Sequence, residues 1–405
     1  MAGLAGPLLQ ACGGGGSSGG ESGEAVRWGR EAIQASLDRS DSTTTALSVA
    51  LFADDRVVWR EAFGYANQET QLRATPDTPF NVGSVAKMLA ALSVMILRDR
   101  QLLALDQPLV ELLPAFSMLS PNYTKITVRH LISHASGVPG CNSRNGFNFA
   151  PIPGYAEDTL QALAKSRLKH EPGELAVYCN DGFTLVELLV KQLAGQSFTA
   201  FVQREILDPL GMSLSGYALT AAAEGSFVHP YHQGQRMPQE MGALFATGGL
   251  YSTPTDMLKL ARMFIDEGVF EGRRIVSAEA VREMGIDQSA RTRITPYPAS
   301  ARWGLGWDSV QQIGLNAAGL RCWNKNGGTF FFSSDFFVLP QDRLAVMITG
   351  CGFDYGPARL AEGLLLRTAV ERGVIQALPP AVVSTVPPAV SRAPASATVT
   401  GVYAN

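Results

Sequence analysis

Strand-like segments of this chain are gathered at its two ends. Residues 45–53 and 56–62 run apolar or alternate around the turn Asp54-Asp55, and the pattern returns near Gly304-Leu-Gly-Trp307, through 329–339, and at 344–350. A strand needs a neighbour to satisfy its backbone, so these distant segments are expected to meet in one antiparallel sheet. Residues 24–39 read as an amphipathic helix with Val26, Ile33 and Leu37 among its apolar positions, and 359–372 as a closing helix. Between the strand groups, about 100–240 is rich in helical patches, turns and Gly-Pro punctuation, which describes a mainly helical subdomain leaving the sheet. Thr253-Pro254-Thr255-Asp256 has the hydroxyl cap, first-turn proline and acid of a helix start. The expected class is α+β, with a groove between sheet and subdomain where pockets tend to form.

Ser84-Val-Ala-Lys87 heads an apolar run that reaches Leu97. Residues three apart share a helix face, so the Lys87 amine can reach the Ser84 hydroxyl and remove its proton. A lysine among Val85, Ala86, Met88 and Leu89 is costly to bury without a partner, and burial lowers its pKa towards that of a usable base. Standing first in the helix, Ser84 also carries an unpaired N–H that can face an oxyanion. An N-cap serine on a core helix is the competing reading. The spacing is weak alone, because Ser166-Arg-Leu-Lys169 repeats it in a polar stretch. Two further motifs, downstream and in order, distinguish Ser84: Tyr178-Cys-Asn180 before an apolar helix, then Lys325-Asn-Gly327-Gly328 opening into aromatic, strand-like residues. Tyr65-Ala-Asn67, Tyr403-Ala-Asn405 and His232-Gln-Gly234 imitate single motifs but do not fall into that order.

Together the three motifs resemble the active site of the serine β-lactamase and penicillin-binding superfamily, most closely its class C-like branch with D-amino peptidases and carboxylesterases. His130-Leu-Ile-Ser-His134-Ala-Ser-Gly137-Val-Pro139, Asp208-Pro-Leu-Gly-Met212 and Ala246-Thr-Gly248-Gly249-Leu-Tyr-Ser-Thr253 extend the likeness, as does Gly327-Gly-Thr-Phe-Phe-Phe-Ser-Ser-Asp335. It implies a β-lactamase/transpeptidase-like fold and an acyl-enzyme on Ser84 with Lys87 as base. In that scheme the Tyr178 phenol passes a proton between leaving group and solvent, and Asn180 holds Lys87 or a substrate amide; a half-buried tyrosine and a turn-forming asparagine are the plainer alternatives. Lys325 and Asn326 would face a substrate carboxylate, Gly327 would allow close approach, and the Gly328 N–H would be the second oxyanion donor. Relatives carry Thr or Ser where Asn326 stands. That exchange favours a carboxylesterase or broad acyl hydrolase over a D-alanyl carboxypeptidase, D-amino peptidase or β-lactamase; a non-catalytic scaffold of the same fold is the rival of another class.

Partners are then expected to be a small ester, β-lactam or peptide. A net charge of −3 lacks the basic footprint of a nucleic-acid binder, and no run approaches the ~18 apolar residues of a membrane span. No cofactor is implied. His130-x-x-x-His134 has zinc-like spacing, yet Leu131 stands where a metalloprotease carries glutamate and no third ligand is evident, so no metal is expected; His229-Pro-Tyr-His232 is likewise read as structural. Gly-x-Ser-x-Gly occurs only inside the Gly/Ser tether, with no strand-to-helix elbow around it, which argues against an α/β-hydrolase.

The chain divides into four segments: 1–23, 24–373, 374–395 and 396–405. The first holds Leu9-Gln-Ala-Cys12, which resembles a lipobox, and then a Gly/Ser tether, so Cys12 is the expected lipidation site and the protein is expected to be secreted or periplasmic; a plain tail is the alternative. The second is the hydrolase domain, the third a Pro-rich linker, and the fourth alternates like the opening of a truncated β module. Cys141, Cys179, Cys322 and Cys351 are expected to be mostly free and buried, and Cys179 to be inert despite its place in the site.

Overall fold

Asp54 and Asp55 both take positive φ, 52° and 58°, the backbone that a two-residue hairpin turn requires. They join β1 (Ala46–Ala53) to β2 (Arg56–Asn67). The computed structural model describes residues 23–380 except 143, 145, 151–153, 220–225, 233 and 296–301. Cys12, the tether, most of the Pro-rich segment and 396–405 lie outside the described residues. A short β3 (Leu72–Arg73) follows β2, and β4 (Trp323–Gly328), β5 (Phe332–Leu339) and β6 (Leu344–Cys351) come from the far end of the chain. Together they form one antiparallel sheet in the order β4-β5-β6-β1-β2-β3, in which β1 closes the gap by pairing Ala46 with Cys351 and Phe52 with Ala345.

All eight residues of β1, β5 and β6 are buried. Such continuous apolar runs fit strands covered on both faces. Leu47, Val49 and Leu51 of β1 share a core with α1 (Glu24–Leu37) and the closing helix, whereas Ala50 and Phe52 face the core of α2 (Lys87–Asp99). The helical subdomain packs α3 (Asn180–Ala194) against α2. Next come α4 (Pro254–Ile265), whose Thr253 hydroxyl accepts from the Asp256 N–H, and α5 (Pro357–Glu371), the closing helix.

Two sequence expectations need correction. Gly304-Leu-Gly-Trp307 is not a strand: Gly306 has φ +83°, and a Cβ there would lie 2.7 Å from that of Ala91 on α2. This loop is pressed onto the helix and buries Leu305 and Trp307 instead of pairing. Nor does the strand run begin at Thr329. Lys325 to Gly328 belong to β4, and Thr329 closes the turn, its hydroxyl accepting from the N–H groups of Phe331 (3.2 Å) and Phe332 (3.1 Å). A run of aromatics looks like a strand by propensity, and the threonine turn overrides it. Four cysteines, Cys141, Cys179, Cys322 and Cys351, are free; the last three are buried and Cys141 is exposed.

Trp307 is fully buried between the rings of Phe264 (5.3 Å), Trp323 (5.6 Å) and Phe336 (5.8 Å). It therefore ties α2's loop, α4 and the sheet together. Trp307→Ala is expected to cost about 3–5 kcal/mol, the range for emptying an aromatic site in a core. Urea unfolding of the two proteins measures it.

Candidate active site

A tight turn at Gly83–Ala86 leads into α2 and carries Ser84. Gly83 takes φ +54°, and its N–H donates to Asn81 Oδ1 at 2.9 Å, fixing the entry. Backbone packs on backbone here: a Cβ on Gly83 would meet Gly328 N at 2.6 Å, and one on Gly327 would meet Val82 O at 2.0 Å and Ser84 N at 3.1 Å. Only glycines allow β4 to come this close to the turn. The approach brings the Ser84 segment beside Gly327 and Gly328, as the sequence predicts.

The next residues are the interior of the protein. From Lys87 to Leu97 every side chain of α2 is buried. Lys87 Nζ lies 3.0 Å from Ser84 Oγ and donates to the Thr247 carbonyl at 2.8 Å. Burial drives its pKa below the ordinary lysine value, with the Lys325 cation adding to the effect. Sequence reasoning offered Asn180 as a holder of Lys87; the structure gives that place to the Thr247 backbone. Asn180 instead opens α3, donates its N–H to Gly140 O (2.6 Å), and lines a cavity of about 520 Å³ with Tyr178, Lys169 and Gly140.

Tyr178 lies between two ammonium groups, Lys87 at 5.0 Å and Lys325 at 5.2 Å from its ring centre. Burial alone would raise its phenol, yet the two cations outweigh that and hold it below the ordinary tyrosine value. Behind it the ring of His134 stacks at 4.5 Å, and Trp303 packs on both. His134 Nδ1 accepts from the Cys179 N–H at 3.0 Å, and burial keeps the imidazole neutral, reinforced by Lys87 and Lys325. His130 is spent in a capping box with Thr127. Cys179 caps α3 through its sulfur, and burial pushes its thiol up to about 11, far from a reactive thiolate.

Lys325 is fully buried on β4, and its ammonium pairs with Asp308 Oδ2 at 2.7 Å and with the Asn326 carbonyl at 2.8 Å. Desolvation would lower this lysine, but the Asp308 carboxylate outweighs it and raises the pKa. The same Asp308 oxygen accepts the Asn326 N–H at 2.9 Å, while the Asn326 residue itself is exposed. Asp335, opposite Asn326 in the ladder, is buried and pushed well above the usual carboxylate range by burial and by Asp308. Ser166 is elsewhere, its exposed hydroxyl bonded to Ala162 O.

Sequence reasoning missed Asp308, Thr247 and the packing role of His134. Thr247 and His134 stood inside segments already singled out, whereas Asp308 had no local signal at all.

Comparison with known proteins places these motifs in context. The family profile described as Beta-lactamase matches residues 32–367. Penicillin-binding protein 4 of Amycolatopsis lactamdurans is 27% identical over 73% of this chain and 78% of its own length. Putative penicillin-binding protein PbpX of Bacillus subtilis is also 27% identical, over 52% of each chain, so this sequence spans about half of that relative. Among solved structures, the octameric penicillin-binding protein homologue from Pyrococcus abyssi superposes with a TM-score of 0.68 at 24% identity, over 86% of this chain and 77% of that one.

Asp308 raises both Lys87 and Tyr178: at Lys87 it opposes burial and the Lys325 cation, and at Tyr178 it opposes the two lysines. Removing its charge lowers both values, so the unprotonated base forms at lower pH. In Asp308→Asn the acid limb of Ser84 labelling by a fluorophosphonate is expected to move to lower pH. Labelling rates across a pH series read the shift directly.

Proposed function

The chain belongs to the beta-lactamase family, and we propose that it is a serine hydrolase working through an acyl-enzyme. One observation carries the reading: an amine buried among apolar side chains, deprived of water, within 3.0 Å of a half-buried serine hydroxyl. Lys87 Nζ takes the proton as Ser84 Oγ bonds to the carbonyl carbon, and the Ser84 and Gly328 N–H groups receive the oxyanion. Collapse of the tetrahedral intermediate breaks the bond to the leaving group, which departs with a proton relayed through Tyr178. Water then adds to the acyl-enzyme, giving up its proton to the same base, and the acid leaves with Ser84 restored.

Charge at Lys325 bears on substrate choice. A free carboxylate, as on a β-lactam or a D-alanyl peptide, would seek Lys325, whose charge is already matched by Asp308 at 2.7 Å. Asn326 offers an amide where a hydroxyl donor would be compact. Both features support neutral esters or amides as substrates, which makes a carboxylesterase or broad acyl hydrolase the favoured activity. The names of the two bacterial relatives support a penicillin-binding activity as the second reading. Leu9-Gln-Ala-Cys12 supports a lipid-tethered location outside the cytoplasm.

Ser84→Ala is expected to abolish fluorophosphonate labelling and ester turnover at a stability cost of no more than ~1 kcal/mol, because only a helix-entry hydroxyl is lost. Lys87→Ala is expected to slow acylation at least ~100-fold, the scale of general-base assistance. Persistent labelling of Ser84→Ala would remove the nucleophile and with it the hydrolase reading.

Side-by-side rates on p-nitrophenyl esters and nitrocefin separate the two substrate readings. Esters should dominate in the native protein, and Asn326→Thr combined with Asp308→Asn should shift the ratio towards nitrocefin. A native ratio favouring nitrocefin would establish the penicillin-directed reading instead.

A further inference from the structure

The turn between β4 and β5 carries Phe330 and Phe331 immediately after the Gly328 oxyanion donor. Phe330 is 60% exposed, Phe353 53% and Phe149 44%. Three separate segments thus leave large aromatics facing solvent around one rim. Two of these segments are linked by ring contacts, since Phe330 lies 5.5 Å from Phe147, Phe331 lies 6.4 Å from Phe330, and Phe149 stacks on Phe331 at 6.2 Å. The row reaches the nucleophile's surroundings at two points. Phe147 Cζ is 3.3 Å from where a Cβ on Gly248 would stand, next to the carbonyl that holds Lys87, and the Phe353 ring edge is 3.8 Å from the same position on Gly328.

The turn that carries Phe330 and Phe331 is held in place. The Phe330 N–H donates to Glu240 Oε1 at 3.1 Å, and the Glu240 side chain is fully buried, while Thr329 ties down the two following N–H groups. A solvent-facing aromatic surface beside a nucleophile needs an apolar occupant. Its direction follows from β4. Strand residues advance about 3.3 Å each, so Lys325 with Tyr178 stands on one side of Gly327, and Phe330 on the other. A leaving group protonated through Tyr178 departs on the Lys325 side, which leaves the acyl group on the phenylalanine side.

We propose that Phe330, Phe353, Phe149 and Phe147 form an acyl subsite that selects medium- to long-chain or aryl acyl groups. The inference rests on the serine hydrolase reading and names its substrate class: neutral esters whose acid portion is large and apolar. Each methylene seated on the shelf leaves water, and several together are worth at least a tenfold gain in kcat/KM.

The test is the p-nitrophenyl ester series from acetate to octanoate, a constant leaving group with a growing acyl chain. In the native protein kcat/KM is expected to rise at least ~10-fold along the series. In Phe330→Ser with Phe353→Ser the octanoate-to-acetate ratio should fall by a similar factor; a ratio on one preparation is insensitive to the folded fraction. A flat native series, or a ratio unchanged in the double variant while acetate is cleaved in a Ser84-dependent manner, would overturn the subsite and leave the hydrolase standing. No Ser84-dependent turnover of any ester overturns both. Concentration-dependent dimerisation that the double variant abolishes, with the ratio unmoved, would assign the shelf to a second copy of the chain and overturn its role as a subsite.

Discussion

Lys87 is an amine placed in the buried interior of the molecule. Isolated burial of a charged ammonium is prohibitively costly, and a protein relieves the cost by pairing the group or by letting it lose its proton. This chain does both in part. The helix that carries Lys87 is buried along its length from Lys87 to Leu97, and the hydrogen-bond partners its ammonium finds are Ser84 Oγ and Thr247 O. The neighbouring structure supports that arrangement. The helical turn at Phe245–Gly248 presents the carbonyl, and Glu187 of α3 accepts the Ala246 N–H at 3.2 Å, anchoring that turn to the same helix whose start lies beside Tyr178. Core packing and the lowered pKa of Lys87 are therefore one property of one helix.

The second lysine is handled in the opposite way. Lys325 is as buried as Lys87, but Asp308 meets it and keeps it charged. Two buried lysines with opposite pKa directions flank one phenol, an arrangement that separates a proton acceptor from a fixed positive charge. Tyr178 answers to both. Its ring is backed by His134, a neutral imidazole whose burial and cationic neighbours forbid protonation. A charged histidine at that position would add another cation against the ring, so the apolar packing by Phe183 and Trp303 around His134 is part of the electrostatics.

How far the sequence told this in advance depends on the range of each interaction. Ser84 and Lys87 were legible because helical geometry alone brings residues three apart together. The hairpin at Asp54-Asp55 and the doubly buried strands were legible because turn chemistry and apolar runs are local. Gly304-Leu-Gly-Trp307 was misread for a reason that is also physical: its apolar residues are buried by a glycine-permitted approach to α2, a contact with residues more than two hundred positions away. The Phe330 run looked like strand because propensity does not see that Thr329 takes the backbone hydrogen bonds of the turn. Asp308 was invisible, since an acid acquires meaning only when the fold sets it against Lys325; of the two roles read for Asn180, holding Lys87 or a substrate amide, the bond to Lys87 is supplied by the Thr247 carbonyl.

These constraints divide the site into a part that folding fixes and a part that it leaves free. At the centre, Gly83 and Gly327 admit no side chain, because a Cβ on either would strike backbone at 2.6 Å or less. Lys87 and Lys325 are locked by burial. None of these positions can vary to suit a substrate without disturbing the core or the sheet. Asn326, Phe330 and Phe353 lie at the rim, are exposed, and contribute little to the packed interior. Discrimination between substrates therefore has to reside there and in the Asp308 carboxylate, which sets the charge presented to them. A chemically fixed centre surrounded by a freely variable rim is the physical reason why one fold can keep the same serine and lysine while its substrate contacts change.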